Sequence, residues 1–107
     1  MEIIPFQDNS QWQQQIELDG TIFILTASWN ALNEYWSLNI YDQDFNPIVL
    51  GIKVVTQFNL TKQLVKENMP LGQIVCQNIV GGFFKIGRDD MGETNELVYY
   101  EEQLLPL

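Results

Sequence analysis

Histidine is absent from the chain, cysteine occurs once, and the cations number only five: Lys53, Lys62, Lys66, Lys85 and Arg88. Each shortage removes a class of chemistry. Without histidine the chain lacks the commonest general base and the commonest metal ligand. A lone Cys76 excludes an internal disulfide and a paired-cysteine metal site. It sits in the strand-like run Gln73-Ile74-Val75-Cys76-Gln77-Asn78-Ile79-Val80 with no cation nearby in sequence, which points to a buried, inert thiol. Fourteen carboxylates against five cations give a formal charge of −9. Such a surface repels phosphate backbones, so nucleic acid is not an expected partner. No apolar run approaches the ~18–20 residues that cross a bilayer. The start, Met1-Glu2-Ile3-Ile4-Pro5-Phe6, also lacks the basic and apolar parts of a signal peptide. The expectation is a soluble chain, made in a cytoplasm, with no membrane contact.

What is present is apolar and aromatic. Of 107 residues 46% are hydrophobic and 18% charged, and thirteen are Phe, Tyr or Trp. This is the composition of one folded β-rich domain over 1–107, long enough to bury a core without disulfide or metal. The chain is organised around Thr26 to Tyr41, where Trp29 and Trp36 bracket the turn-like Asn30-Ala31-Leu32-Asn33-Glu34 and apolar residues alternate on both sides. That pattern predicts a hairpin. Trp29, Trp36, Leu38 and Ile40 are its expected core residues. Burial of one indole removes roughly 150–250 Å² from water, on the order of 4–6 kcal/mol before ordering costs.

The remaining elements follow from alternation and turn chemistry. Gln11 to Leu18 alternates, with Trp12, Gln14, Ile16 and Leu18 on one face. Asp19-Gly20 then predicts a tight hairpin into Thr21–Trp29, because a type I′ turn needs positive φ at both central residues. Ile48 to Phe58 reads as the longest strand, with Gly51 marking a bulge or a close approach. Asn59 or Thr61 caps a helix over Leu60 to Glu67 that carries Leu64 in its apolar stripe and stops at Met69-Pro70. Strands follow at Gln73–Val80, Phe83–Ile86 and Glu96–Leu104, the last placing Tyr99 in the core. Seven to eight strands and one short helix near 60–67 predict a mainly β fold: a small antiparallel β-barrel or a strongly curved sheet.

Candidate sites are few. Asp42-Gln43-Asp44-Phe45-Asn46 matches the start of a calcium loop, but Pro47 stands where the turning glycine belongs and Lys53 at the bidentate glutamate. A plain turn is expected, with no metal and no cofactor. Trp12, Trp29, Trp36, Phe83 and Phe84 lack the basic groove of a base-stacking platform and read as core. Paired carboxylates for glycoside chemistry have no setting that singles them out, and no catalytic residue is assigned. Asp89, Asp90 and Glu93, in the polar loop 88–95, are candidate protein contacts instead. The segment 1–7, which Pro5 limits to an edge strand or an arm, and the arm 104–107 supply further ones, Ile3, Ile4, Phe6, Leu104 and Leu105, since an edge or an apolar terminus can be completed by a neighbouring chain. Removal of either arm is expected to spare the fold and to reduce assembly.

Taken as a series, Ile3-Ile4-Pro5, Trp29-Asn30, Trp36 with Leu38 and Ile40, Asp42, Gly51, the Leu60–Leu64 stretch, Leu71-Gly72, Gly87 and Leu97-Val98-Tyr99 resemble the small baseplate plug proteins of contractile-tailed bacteriophages. One departure is that Asn33-Glu34-Tyr35 stands where a glycine is expected shortly before the second tryptophan. The resemblance implies a non-enzymatic structural protein of the virion tail baseplate, assembled in the host cytoplasm. It further implies a β-barrel-like fold near the tail axis, packed against hub, spike and tube proteins, and self-association is compatible with it. The alternative is an acidic DNA mimic that inhibits a host nuclease or DNA-binding protein, although six of the fourteen carboxylates crowd into Asp89–Glu102. A carbohydrate-binding or hydrolytic β-domain is a third reading.

Overall fold

The computed structural model describes residues 2–7, 9–62, 68–81 and 85–101. Among these, eight strands form two four-stranded antiparallel sheets. One sheet has the order β1 (Glu2–Ile4), β8 (Asn95–Tyr100), β7 (Gln73–Asn78), β6 (Phe58–Asn59). The other runs β2 (Gln11–Leu18), β3 (Thr21–Asn30), β4 (Tyr35–Asp42), β5 (Pro47–Lys53). Neither sheet closes on itself, so the expected single barrel is replaced by two open sheets that share one core. The expected strand Ile48–Phe58 is divided accordingly. Gly51, at φ 77°, bulges β5 against β4, Gln57 takes φ 53°, and Phe58 pairs with Cys76 in the other sheet. The chain therefore changes sheets between Lys53 and Phe58, a step that strand spacing does not reveal.

The period-two pattern holds in the hairpins. Asp19 and Gly20 carry φ of 51° and 79°, as the tight turn requires, and join β2 to β3 in unbroken register from Gln11↔Ser28 to Leu18↔Thr21. Between β3 and β4, Asn30 Oδ1 accepts the N–H groups of Leu32 and Asn33. Glu34 there adopts φ 56°, the left-handed conformation that makes a glycine natural just before Trp36. Trp29 and Trp36 pair directly, with ring centroids 5.6 Å apart. Trp36, Leu38, Ile40 and Tyr99 are fully buried, while Trp29 is half-buried against the same core.

The helix expected over 60–67 lies mostly outside the described residues, as does Leu64. Its first residues, Leu60 to Lys62, form a turn, and no helix occurs among the described residues. The hydroxyl of Thr61, read as a helix cap, instead accepts the Ile74 N–H at 3.1 Å, fastening the turn to β7. The expected strand over Phe83–Ile86 likewise lies partly outside the described residues, and Lys85 and Ile86 are not in a strand. No described helix is long and apolar enough to cross a membrane.

Two polar ties anchor β8, one to the other sheet's first hairpin and one to the connection between β5 and β6. At one end the buried phenol of Tyr99, from β8, donates to Asp19 Oδ2 in the β2–β3 turn at 2.6 Å and accepts the Gly72 N–H at 2.7 Å. At the other, buried Asn95 accepts from the Thr56 hydroxyl and donates to Thr94 Oγ1 at 3.1 Å. Gly72 is required by packing. A Cβ there would lie 2.0 Å from the Tyr100 carbonyl oxygen and 2.8 Å from the Tyr99 ring and hydroxyl.

Two predictions follow from these ties. Gly72→Ala forces β7 away from β8 and lowers unfolding free energy by about 3 kcal/mol or more, measured by urea denaturation. The second concerns alkaline pH. Burial raises both the Cys76 thiol, pushed up to about 12 from 9.0, and the Tyr99 phenol, with the Asp19 hydrogen bond adding to the Tyr99 shift. Below pH 9 folded and unfolded chains both hold these protons and the full stability is present. As pH rises from 9 toward 12 the unfolded chain releases them first, so stability falls. The melting temperature should drop across this window, and Cys76→Ala/Tyr99→Phe should flatten the drop.

Candidate protein-docking surface

The end of the molecule that carries the β3–β4 turn brings cations, aromatic rings and clefts together. Three of the five cations gather there. Lys53, at the end of β5, lies 5.2 Å over the Tyr35 ring, and Arg88 lies 5.7 Å from the centre of the Trp36 ring. Lys85 Nζ approaches Glu34 Oε2 to 3.7 Å in a solvent-exposed pair that contributes at most about 1 kcal/mol. The planar aromatic faces hold the cationic heads in place on a chain of net charge −9.

These residues line three adjoining clefts. The first, about 380 Å³, lies among Tyr35, Lys53, Val54 and Val55. It shares Glu34, Lys85 and Ile86 with a second of about 470 Å³ beside Trp29. The second shares Arg88 with a third of about 610 Å³, walled by Phe6, Trp36, Asp89, Met91 and Glu93. Exposed apolar side chains occur at the same end: Leu32 in the β3–β4 turn at 90% exposure, Val55 in the wall of the first cleft, and Ile79 with Val80 after β7, where the Ile79 N–H bonds to the Thr94 carbonyl. Val80, at 60%, is held in place because Asn78 Oδ1 accepts the N–H groups of Val80 and Gly81.

The acidic loop is folded rather than loose. Asp90 turns inward: its carboxylate accepts the Gly87 N–H, and its carbonyl accepts the N–H groups of Glu93, Thr94 and Asn95 at 3.1, 2.9 and 3.2 Å. Asp89 and Glu93 project into solvent, Asp89 with Arg88 at 3.0 Å. Of the contact residues expected from sequence, Phe6, Asp89 and Glu93 thus meet at one cleft. Asp90 serves the loop itself.

The N-terminal segment forms an edge strand. Ile4 is 1% exposed in the core, and β1 pairs with β8 through Glu2↔Tyr99, Ile3↔Val98 and Ile4↔Leu97. Phe6 stands edge-on to Trp12 and Trp36, with centroids 5.0 and 4.7 Å away, and the buried indole N–H groups of both tryptophans have no oxygen or nitrogen partner among the described residues. Only Ile3, at 53% exposure, keeps an outward apolar side chain. Residues 2–7 are therefore part of the fold, while Leu104 and Leu105 lie outside the described residues. Sequence reasoning missed the two cation–aromatic contacts, since the pairs Lys53–Tyr35 and Arg88–Trp36 are remote in sequence.

At the opposite end the β2–β3 and β4–β5 turns flank a cleft of about 570 Å³ lined by Phe23, Asp42, Asp44, Met69 and Leu71. Asp42–Asn46 is a closed turn here. The Asn46 N–H, donated at 2.8 Å, holds the Asp42 carboxyl below its usual range, and partial burial opposes this; the Asn46 side chain and the Asp44 N–H add to the lowering. No group of three or more acidic, cysteine or histidine residues fit to hold a metal occurs among the described residues.

The hydrogen bonds of the loop predict unequal costs for its three carboxylates. Asp90→Ala should lower stability by about 1–3 kcal/mol by unpairing the Gly87 N–H. Asp89→Ala and Glu93→Ala should each stay within about 0.5 kcal/mol, all three read by thermal denaturation.

Comparison with known proteins yields one family. The profile described as "Cyanophage baseplate Pam3 plug gp18" matches residues 1–102, nearly the whole chain. No curated protein matches it. With the match running from β1 through β8 and into the residues beyond, the chain belongs to the cyanophage baseplate Pam3 plug gp18 family and is a structural component of the phage tail baseplate.

Proposed function

We propose that the protein acts as a single-domain, non-enzymatic plug that buries surface against the hub, spike or tube proteins near the tail axis. The observation that carries this reading is the continuous clefted end, where Leu32, Val55, Ile79 and Val80 are exposed beside Lys53, Lys85 and Arg88. Apolar side chains at this density on one end are the anchors of a protein interface, and the arginine and aromatic residues among them are the types enriched in interface hot spots. Asp19, Asp42 and Asp44 cluster around the opposite turns, while at the docking end Lys53, Lys85 and Arg88 stand among Glu34, Asp89 and Glu93, so that end presents both signs of charge to a neighbour.

The contact is held by apolar burial with local charge setting its orientation. This separates it from DNA mimicry, which needs carboxylates in phosphate-like rows. Here the acidic residues are split between the two ends, and Asp90 is engaged within its own loop. No observation favours the DNA-mimic reading.

The test is recovery of baseplate proteins on the tagged chain from cells expressing the phage genome, at low and high salt, with identification by mass spectrometry. Hub, spike or tube proteins should remain bound at high salt. Leu32→Asp/Val80→Asp should reduce their recovery by about tenfold or more, while Gln43→Glu at the opposite end should not. Equal recovery with the double variant would refute the assignment of this end as the docking surface.

A further inference from the structure

The four sheet edges of the molecule are not equivalent. β1 is three residues long and β6 two. β5 begins at Pro47, which has no N–H to offer, bulges at Gly51 and ends at Lys53. These are the devices by which edges are kept from pairing with other chains. β2 has none of them. Its eight residues, Gln-Trp-Gln-Gln-Gln-Ile-Glu-Leu, contain no Pro, Gly, Lys or Arg and run in unbroken register beside β3. Among the described residues no other strand pairs with it.

The phase of its hydrogen bonds is fixed at both ends. The Trp29 N–H bonds to the Ser10 carbonyl at 2.8 Å, and Leu18 faces Thr21 across the two-residue turn. Both place the even-numbered residues of β2 in the hydrogen-bonded pairs with β3. The odd-numbered residues Gln11, Gln13, Gln15 and Glu17 therefore direct their N–H and C=O groups away from the sheet, along the open edge.

We infer that this edge pairs with the β2 strand of a second copy of the chain, antiparallel and about a two-fold axis through Gln14. The occupant follows from the self-complementarity of the strand. A two-fold at Gln14 sets Gln13 opposite Gln15 and Gln11 opposite Glu17 in the hydrogen-bonded pairs, and Trp12 opposite Ile16 and Gln14 opposite Gln14 between them. Trp12 meets Ile16 on the inner face, where Gln14, its amide donating to the Pro5 carbonyl at 2.6 Å, meets its own copy; on the outer face Gln13 meets Gln15 and the Gln11 amide meets the Glu17 carboxylate, so no like charges stand opposite each other. A two-fold at Gln15 would instead set Gln14 against Ile16, mismatching polar with apolar. Charge adds to the case. On a chain of net charge −9, β2 carries a single charged side chain, Glu17, so two copies meet there with little like-charge repulsion. The four-stranded sheet becomes eight-stranded, and half-buried Ile16 becomes covered. This contact is separate from the clefted end and does not depend on which baseplate protein docks there.

Sedimentation velocity of the intact chain over a concentration series tests the pairing, with two engineered thiols testing its register. The expected result is a reversible dimer of the 12.4 kDa chain. Gln14→Cys should cross-link on mild oxidation, because residues at the axis approach within disulfide reach. Gln11→Cys should not, because its copy lies several residues away; Cys76 is buried and stays silent. Gln13→Lys/Gln15→Lys, at exposed positions, should leave the melting temperature near that of the parent chain but weaken self-association about tenfold by setting like charges opposite each other. A monomer at every concentration overturns the inference. So does a dimer indifferent to the lysine pair, or one in which Gln11→Cys cross-links as readily as Gln14→Cys.

Discussion

The hydroxyl of Tyr99 connects three parts of the chain that lie far apart in sequence. It stands on the central β8 of one sheet, accepts the N–H of Gly72 at the entrance to β7, and donates to Asp19 in the turn of the other sheet's first hairpin. A buried phenol without partners costs free energy, so both partners must be in place for the sheets to close. Their positions are tightly constrained. Gly72 has no room for a Cβ between the Tyr100 carbonyl and the Tyr99 ring, and Asp19 must hold φ 51° for its carboxylate to reach inward. One side chain thereby sets the spacing of the sheets and the course of a hairpin turn.

This constraint distributes the surfaces. With the phenol tie closing the end that carries Asp19, the β3–β4 turn and the ordered loop 87–95 fall together at the other. There Arg88 covers Trp36, Asp90 winds the loop, and Asn95 joins β8 to Thr56. An acidic chain thus keeps most of its cations beside exposed apolar side chains at one end, which suits a family whose members are built into a baseplate. The loops that shape the clefts are fixed by internal hydrogen bonds, so the docking proposed for this end would require little rearrangement.

The N-terminal segment shows why a sequence of apolar residues near a terminus is ambiguous. Ile3, Ile4 and Phe6 have the same composition whether they reach for a neighbour or complete their own sheet. The alternation of a three-residue strand is too short to decide. The structure resolves it through pairing with β8, which sends Ile4 and Phe6 inward and leaves Ile3 outside. The division of the expected Ile48–Phe58 strand has the same origin: its period-two pattern continues through the segment where the chain changes sheets.

Local chemistry was sufficient for the hairpins, and the sequence alone determined them. Asp19-Gly20 specifies a tight turn, the alternation of β2 and β4 specifies which faces are buried, and Gly51 marks the bulge; each depends only on backbone sterics and on neighbours within a few residues. The series of residues from Ile3 to Tyr99 was likewise enough to indicate the baseplate plug family. Tertiary structure decided the rest. Whether eight strands close into one barrel or part into two sheets, which of four edges stays open, and how Lys53, Arg88, Trp36 and Asp90 come to shape one end are set by contacts between residues distant in sequence. Such contacts leave no periodicity in the chain, because only closure of the core brings their partners together.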